Sequence, residues 1–386
     1  MNSKIIKQNV ADATSLTYLI ISIINFVLIV FGTVGNLFTF LILMRKNLRP
    51  VYSYTRYLSA LCLIDIVCLY NWNFTYIYQD ILSSDKKRIE SYSPMSCCIF
   101  SYIAYSSLQL SSWIICVIGI DRIITLVSTK QTKIKKANHL AENKNCSFEW
   151  LKKKNPFQNT LIVIFFVSLI IFTVNIMVLI KNANPYLDSI SNSSNETITR
   201  TFKCYSSDKF FKIWDIVHLL MYCLIPFIVI FTQNVLIAVF TVKNAKRMKK
   251  YELPETPFTH NGTETLKVRI ITNPKNELIS EEYDSIRSSK RHQHHKEKYV
   301  KNLLIFLTVA FFFTTLPYTV IYTTSLKDTF FQTSTGIIIK RCLQSLQYTR
   351  HAGSFLIYIL TSSIIKKEIN NCFNEIKQYV RAPRTS

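Results

Sequence analysis

The sequence predicts an all-α protein, a seven-transmembrane-helix bundle followed by a short amphipathic eighth helix. Three observations carry that prediction. Seven long apolar stretches run along the chain, near residues 16–44, 57–82, 97–128, 158–180, 213–242, 302–326 and 335–363. Each is long enough to cross roughly 30 Å of hydrocarbon as a helix. Glycine is scarce, 6 in 386 residues beside 26 Phe and 21 Tyr, which suits helices packed on helices better than a turn-rich α/β fold. The basic residues are sorted between alternate loops.

The first stretch is the plainest. Leu16–Met44 carries no charged residue in 29 positions, which no exposed helix of a soluble protein would do. Residues 1–15 are polar and read as a short extracellular N-terminus, with no cleavable signal peptide. The second stretch holds Asp65 in an apolar context. The third begins at Cys97-Cys98 and ends at Asp121-Arg122-Ile123, and its 25 residues from Cys97 to Arg122 make a helix of about 37 Å, one bilayer with part of its headgroups. The fifth and sixth contain Pro226 and Pro317, which remove backbone hydrogen bonds and make candidate hinges. The seventh contains Arg350 and His351 about 10–12 Å along the axis from Tyr358, inside the membrane. Residues 364–386 form an amphipathic segment (Ile364–Phe373) and a cytoplasmic tail, after a membrane domain at 16–363.

Net charge is +23, and its placement decides its meaning. With loops numbered alternately from an outside N-terminus, segments 45–56, 130–156, 243–301 and 364–386 hold 31 Lys/Arg against 12 Asp/Glu. The segments on the other side hold 13 against 9. That is the positive-inside pattern, placing the N-terminus outside. The expected partner of this charge is anionic membrane lipid, not nucleic acid. Residues 243–297 read as a long cytoplasmic third inner loop; its cluster His292-Gln293-His294-His295 lacks the fixed geometry of a metal site.

Most cysteines lie within the apolar stretches and read as small buried thiols. Cys97 and Cys204 fall in an oxidising compartment on this topology and are expected to pair, with Cys98 the rival of Cys97. The loop 181–212 also carries two glycosylation sequons, at Asn192 and Asn195.

Several marked residues recur in a known order. They are Gly35-Asn36, Leu61-Cys62-Leu63-Ile64-Asp65, Cys97, Asp121-Arg122-Ile123, Pro226, Phe311 with Leu316-Pro317-Tyr318, and Ser354-Phe355-Leu356-Ile357-Tyr358. Over residues 16–375 the chain resembles the rhodopsin-like G-protein-coupled receptors. The departures are specific: no tryptophan in 157–180, Thr315 where an aromatic toggle is usual, Asn234 where Tyr is usual, and Ser354 and Phe355 in place of Asn and Pro.

The resemblance implies a plasma-membrane receptor that couples an extracellular ligand to a heterotrimeric G protein. It implies roles for Asp121 and Arg122 as a lock at the inner mouth, for Pro226 and Pro317 as hinges, and for Tyr358 in activation. Lys246, Arg247, Lys249, Lys298 and Lys301 would ring the G-protein site. Asn36, Asp65, Ser111, Arg350, His351 and Ser354 form an expected buried polar network. There many receptors hold a sodium ion at Asp65 and Ser111, and Arg350 with His351 is expected to pair with Asp65 and replace the ion.

The ligand follows by comparison. A biogenic amine would need an Asp at position 104, which is Ala, and retinal a Lys at 348, which is Tyr. A peptide ligand is expected, in a pocket of Tyr102, Tyr105, Trp214, Asp215, His218, Gln344, Gln347 and Tyr348 under a disulfide-tethered loop. No catalytic constellation, cofactor or metal site is visible. The alternatives are a chemosensory small-molecule receptor of the same fold, and a channel or transporter.

Overall fold

The computed structural model describes residues 2–45, 48, 53–85, 87–138, 156–182, 185–192, 195–202, 204, 208–251, 302–322 and 333–381. The described chain is almost wholly helical, and six of its helices are long and apolar enough to cross a membrane. These are Ala13–Leu43, Tyr54–Leu82, Pro94–Val127, Asn159–Lys181, Lys209–Lys243 and Asn302–Tyr322.

The first helix, α1 (Asn2–Leu43), starts earlier than the sequence predicts. The segment 1–15, expected to be a separate N-terminus, is helical from Asn2, because it contains neither Pro nor Gly to stop propagation. The second stretch is broken: α2 (Ser53–Leu69) ends, Tyr70 and Asn71 turn on i−3 hydrogen bonds, and α3 (Trp72–Ile77) restarts and runs into a π turn at Tyr78–Leu82. Asn71 is held there by its side chain, which donates to Ser107 Oγ at 2.8 Å.

The helix α4 (Pro94–Asn138) begins on a reciprocal cap. Ser93 Oγ accepts from the Ser96 N–H at 3.0 Å, and Ser96 Oγ accepts from the Ser93 N–H at 3.1 Å, with Pro94 at the first helical position. After α5 (Pro156–Lys181) comes one antiparallel hairpin, β1 (Pro185–Asn192) and β2 (Asn195–Phe202), with Asn192 paired to Asn195 at its tip. Both candidate glycosylation residues therefore flank the hairpin turn. Apart from this one hairpin the described chain is helical, as expected of an all-α fold.

The fifth stretch is also interrupted. Helix α6 (Asp208–His218) passes through a π turn at Leu219–Leu224 into α7 (Ile225–Tyr251). Pro226 has no N–H to give the preceding turn, and the widened turn is the local answer. The carbonyl of Met221 is taken up by the Trp113 indole N–H at 2.9 Å. Helix α7 continues to Tyr251, into what the sequence assigns to a loop; the rest of that loop lies outside the described residues, including Lys298, Lys301 and His292–His295. Helix α8 is Asn302–Tyr322.

The last two helices are α9 (Ser334–Thr361), N-capped by Thr333 accepting from Gly336 N–H at 3.0 Å, and α10 (Ser363–Arg381), capped by Ser362. Helix α9 is 28 residues long yet too polar to read as a membrane span by composition. Its polar residues are turned inward: Arg341, Gln344, Gln347, Arg350, His351 and Ser354 are buried against α1, α2 and their neighbours. The largest apolar cluster fills the Arg122 half, with Leu43, Tyr54, Leu58, Leu61, Ile114, Ile118, Leu304, Leu307 and Tyr358. Ile, Val and Phe side chains cover the outside of α1 and α5, an apolar surface that suits lipid.

Candidate functional site

Polar side chains gather at three levels along α4. At the disulfide end, Cys97 is bonded to Cys204 with a Cα separation of 5.9 Å, so the loop bearing the hairpin is tied to α4, and Cys98 is free. Asn182 donates to the Cys97 carbonyl at 3.3 Å beside this bridge.

Just below it, an aromatic and amide cluster links α4, α5, α6 and the π turn. The ring of His218 meets Tyr105 edge-on at 4.8 Å and stacks on Tyr222 at 5.1 Å. Tyr105 donates to Asp215 Oδ1 at 3.5 Å. Asn175 donates to Gln109 Oε1 at 2.7 Å, which fixes the amide, so Gln109 Nε2 donates to His218 Nδ1 at 3.2 Å and the imidazole proton is on Nε2. Gln347 joins from α9, donating to Tyr222 at 2.9 Å, and Gln344 accepts from Tyr76 at 2.8 Å. The hydroxyl of Tyr348 and the indole N–H of Trp214 are buried without a hydrogen-bond partner among the described residues. Seven of the eight expected pocket residues thus line one region. Tyr102 is the exception: it turns to α5, donating to the Phe172 carbonyl at 3.1 Å with its ring against Phe172.

Beside this cluster stands an ion pair that sequence reasoning missed. Arg341 meets Asp80 Oδ2 at 2.5 Å, Ser22 donates to the same oxygen at 2.6 Å, and the guanidinium lies between the rings of Tyr18 and Tyr76 at 4.1 and 4.6 Å.

The middle level brings together all six residues of the expected buried network. Asn36 donates to the His351 carbonyl at 2.9 Å and accepts from Ser354 at 3.0 Å, fastening α1 to α9. Asp65 Oδ1 faces His351 Nδ1 at 2.7 Å and accepts from Ser111 at 3.0 Å. Arg350 reaches Ser111 at 3.2 Å and His351 Nε2 at 3.1 Å, with its guanidinium over Phe311 at 5.2 Å. The expected direct Arg350–Asp65 pair is therefore corrected: the carboxylate is bonded to His351 and Ser111, and Arg350 acts through both. Asp65 Oδ2 and Arg350 Nε have no partner among the described residues.

These residues do not fit the sodium ion the resemblance implies between Asp65 and Ser111. Hard cations take oxygen donors converging on one point. Here an imidazole N–H and a hydroxyl hydrogen point at Oδ1, the guanidinium stands against Ser111, and the unpartnered Oδ2 is one donor where a cation needs several. No group of His, Cys, Asp and Glu side chains able to hold a metal occurs among the described residues.

Near the end of the membrane-crossing part of α4, Pro94–Val127, Arg122 is buried and lies over the ring of Tyr54 at 4.4 Å, while Asp121 Oδ2 is 4.0 Å from its Nε. The tyrosine face is a second restraint beside the acid, and no motif marks it in the sequence. Tyr358 is fully buried nearby in the apolar cluster. Lys246, Arg247 and Lys249 lie on the last turns of α7. Asn234 donates to Thr308 Oγ1 at 2.6 Å, joining α7 to α8.

Lone polar residues inside apolar runs were the signal for what the sequence reading missed here. Gln109, Asn175 and Gln233 are each costly in such a setting unless turned inward, and all three are buried and hydrogen-bonded. No protein-family model matches the sequence, and no curated protein matches it.

Proposed function

We propose that this chain is a seven-helix receptor of the plasma membrane, with its N-terminus and the Cys97–Cys204 bridge outside, that passes binding of an extracellular ligand to a heterotrimeric G protein. The observation that carries the reading is the layout of one helix. The membrane-crossing part of α4 bears a disulfide at one end, a polar and aromatic cluster beneath it, a buried charged network at mid-depth, and Arg122 stacked on Tyr54 near the other end. A ligand that rearranges the cluster shifts elements that also touch the network and Arg122, which is what coupling between two ends requires. Pro226 with its π turn, and Pro317 in α8, supply segments where helices bend.

The ligand proposed is a peptide, held by Tyr105, Trp214, Asp215, His218, Gln344, Gln347 and Tyr348 beneath the tethered hairpin. The mixed amide, imidazole and carboxylate lining supports a ligand rich in backbone amides. Membrane lipid is the surrounding partner, and the two sequons at the hairpin tip are proposed glycosylation sites. A peptide-library screen of cells expressing the chain, read by G-protein activation, tests this. A peptide that activates wild type but not Arg122→Ala supports it; ligand-independent ion or solute flux with no G-protein response overturns it.

A further inference from the structure

Asp65 is 1% exposed, at mid-depth among α2, α4 and α9. An ionised carboxylate in such a place needs compensating charge and hydrogen bonds. Its surroundings fix where the protons are. A guanidinium only donates, so His351 Nε2, which faces Arg350 at 3.1 Å, is an acceptor. The imidazole proton is then on Nδ1 and is given to Asp65 Oδ1 at 2.7 Å. A second proton on Nε2 would set one N–H against another. Ser111 repeats the pattern, accepting from Arg350 at 3.2 Å and donating to Asp65 Oδ1 at 3.0 Å.

One negative charge thus faces one positive charge through two neutral bridges, an imidazole and a hydroxyl. We infer that Arg350 is a built-in cation that completes the Asp65 site and excludes a bound metal ion, with His351 a neutral bridge protonated at Nδ1. The other charged pair on α9, Arg341 with Asp80, lies about 13 Å further along the helix, is matched by itself and lends no charge to Asp65. Neutralising residue 350 therefore exposes the carboxylate to whatever cation the solution supplies, and sodium becomes a stabilising ligand. The inference holds whether or not the chain is a receptor, since it concerns only the charge balance of the bundle.

The test uses the full chain purified in detergent, melted in rising sodium chloride against choline chloride at matched ionic strength. Wild type is expected to melt at the same temperature in both salts. Arg350→Leu and Arg350→Gln are expected to melt lower and to gain a rise of several degrees specific to sodium. Arg350→Lys, which keeps the charge, is expected to stay indifferent. A role in packing alone would not sort the variants by charge. Sodium-specific stabilisation of wild type, or its absence in a folded neutral variant, overturns the inference. Nitrogen NMR of histidine-labelled wild type, with the His351 signals assigned by their loss in His351→Gln, decides the matter independently should neither neutral variant fold. A neutral ring protonated at Nδ1 supports the inference, and an imidazolium or an Nε2–H ring overturns it.

Discussion

Phe355 of α9 is seated on Gly35 of α1, so closely that a Cβ on Gly35 would overlap the phenyl ring. Phe31 closes the other side, edge-on to Phe355 at 5.0 Å. One turn earlier, Gly32 receives Ala352 and Leu69 in the same way. The pair explains a departure noted in the sequence. Where the resemblance leads one to expect a proline, this chain carries a large ring, and α9 runs unbroken past it because a glycine opposite makes room. Small residues that let helices approach closely are the usual way to pack without a hydrophobic driving force between helices.

Gly35→Ala is therefore expected to destabilise by about 1–3 kcal/mol, the usual effect of overpacking. Phe355→Leu in the same background should restore part of the loss by freeing the space. Melting curves of the two single variants and the double variant check this; a Gly35→Ala protein as stable as wild type would show that α1 and α9 are not in this register.

The disulfide gives a second expectation. Cys97→Ser and Cys204→Ser should each lose about 2–5 kcal/mol of stability or fail to reach the cell surface. Cys98→Ser should be silent, because that thiol is free. Surface labelling of the three variants reads the result directly.

The Arg341–Asp80 pair supplies a third. With Arg341 6% and Asp80 12% exposed at the side chain, removing one partner leaves a buried charge unmatched. Arg341→Leu or Asp80→Asn should each cost about 3–5 kcal/mol, and the double variant clearly less than the sum. Additive losses in that double-mutant cycle would mean the pair is not formed.

At the other end, Arg45 binds α10 through Glu368 at 2.8 Å and Glu375 at 2.7 Å. Arg45 and Glu375 are 24% and 61% exposed but Glu368 is only 6%, so Arg45→Ala leaves a buried carboxylate short of a partner and should cost about 1–3 kcal/mol, the Glu375 share fading at high salt. The measurable effect is local: amide exchange should quicken along Ser363–Arg381 and stay unchanged in α1.

The helices were legible because apolar length is a strong signal, and so were the bridge of Cys97 to Cys204 and the membership of the Asp65 network. The interruptions were not. Pro226 announces trouble in its helix, but whether a chain answers with a kink or with the π turn at Leu219–Leu224 depends on a partner for the freed carbonyl, here Trp113, more than a hundred residues away. The break at Tyr70–Asn71 depends likewise on Ser107. Arg350 and His351 are adjacent, point about 100° apart on a helix, and compete for one acid; sequence cannot choose between them, and the shorter His351 wins the contact. Tyr102 and Tyr105 are three residues apart and share a nominal face, yet Phe172 draws one of them away. Tyr54 carries no motif at all.

The stacking of Arg122 on Tyr54 makes a prediction about the resting state. Such contacts are worth roughly 0.5–2 kcal/mol, so Tyr54→Ala should raise basal signalling by about twofold to thirtyfold if release of Arg122 is the activating step. Asp121→Ala, which removes the carboxylate 4.0 Å from Nε, should raise it too. Basal G-protein activation at matched surface expression compares them.

The most direct measurement is nucleotide exchange on heterotrimeric G proteins by membranes bearing the full chain, with and without Arg122→Ala, at matched surface levels and in the presence of an activating peptide. Wild type is expected to accelerate exchange on at least one G protein, and the Arg122→Ala chain, equally abundant, is expected not to. Equal acceleration by both, or none by wild type across all G-protein classes and peptides tried, would contradict it.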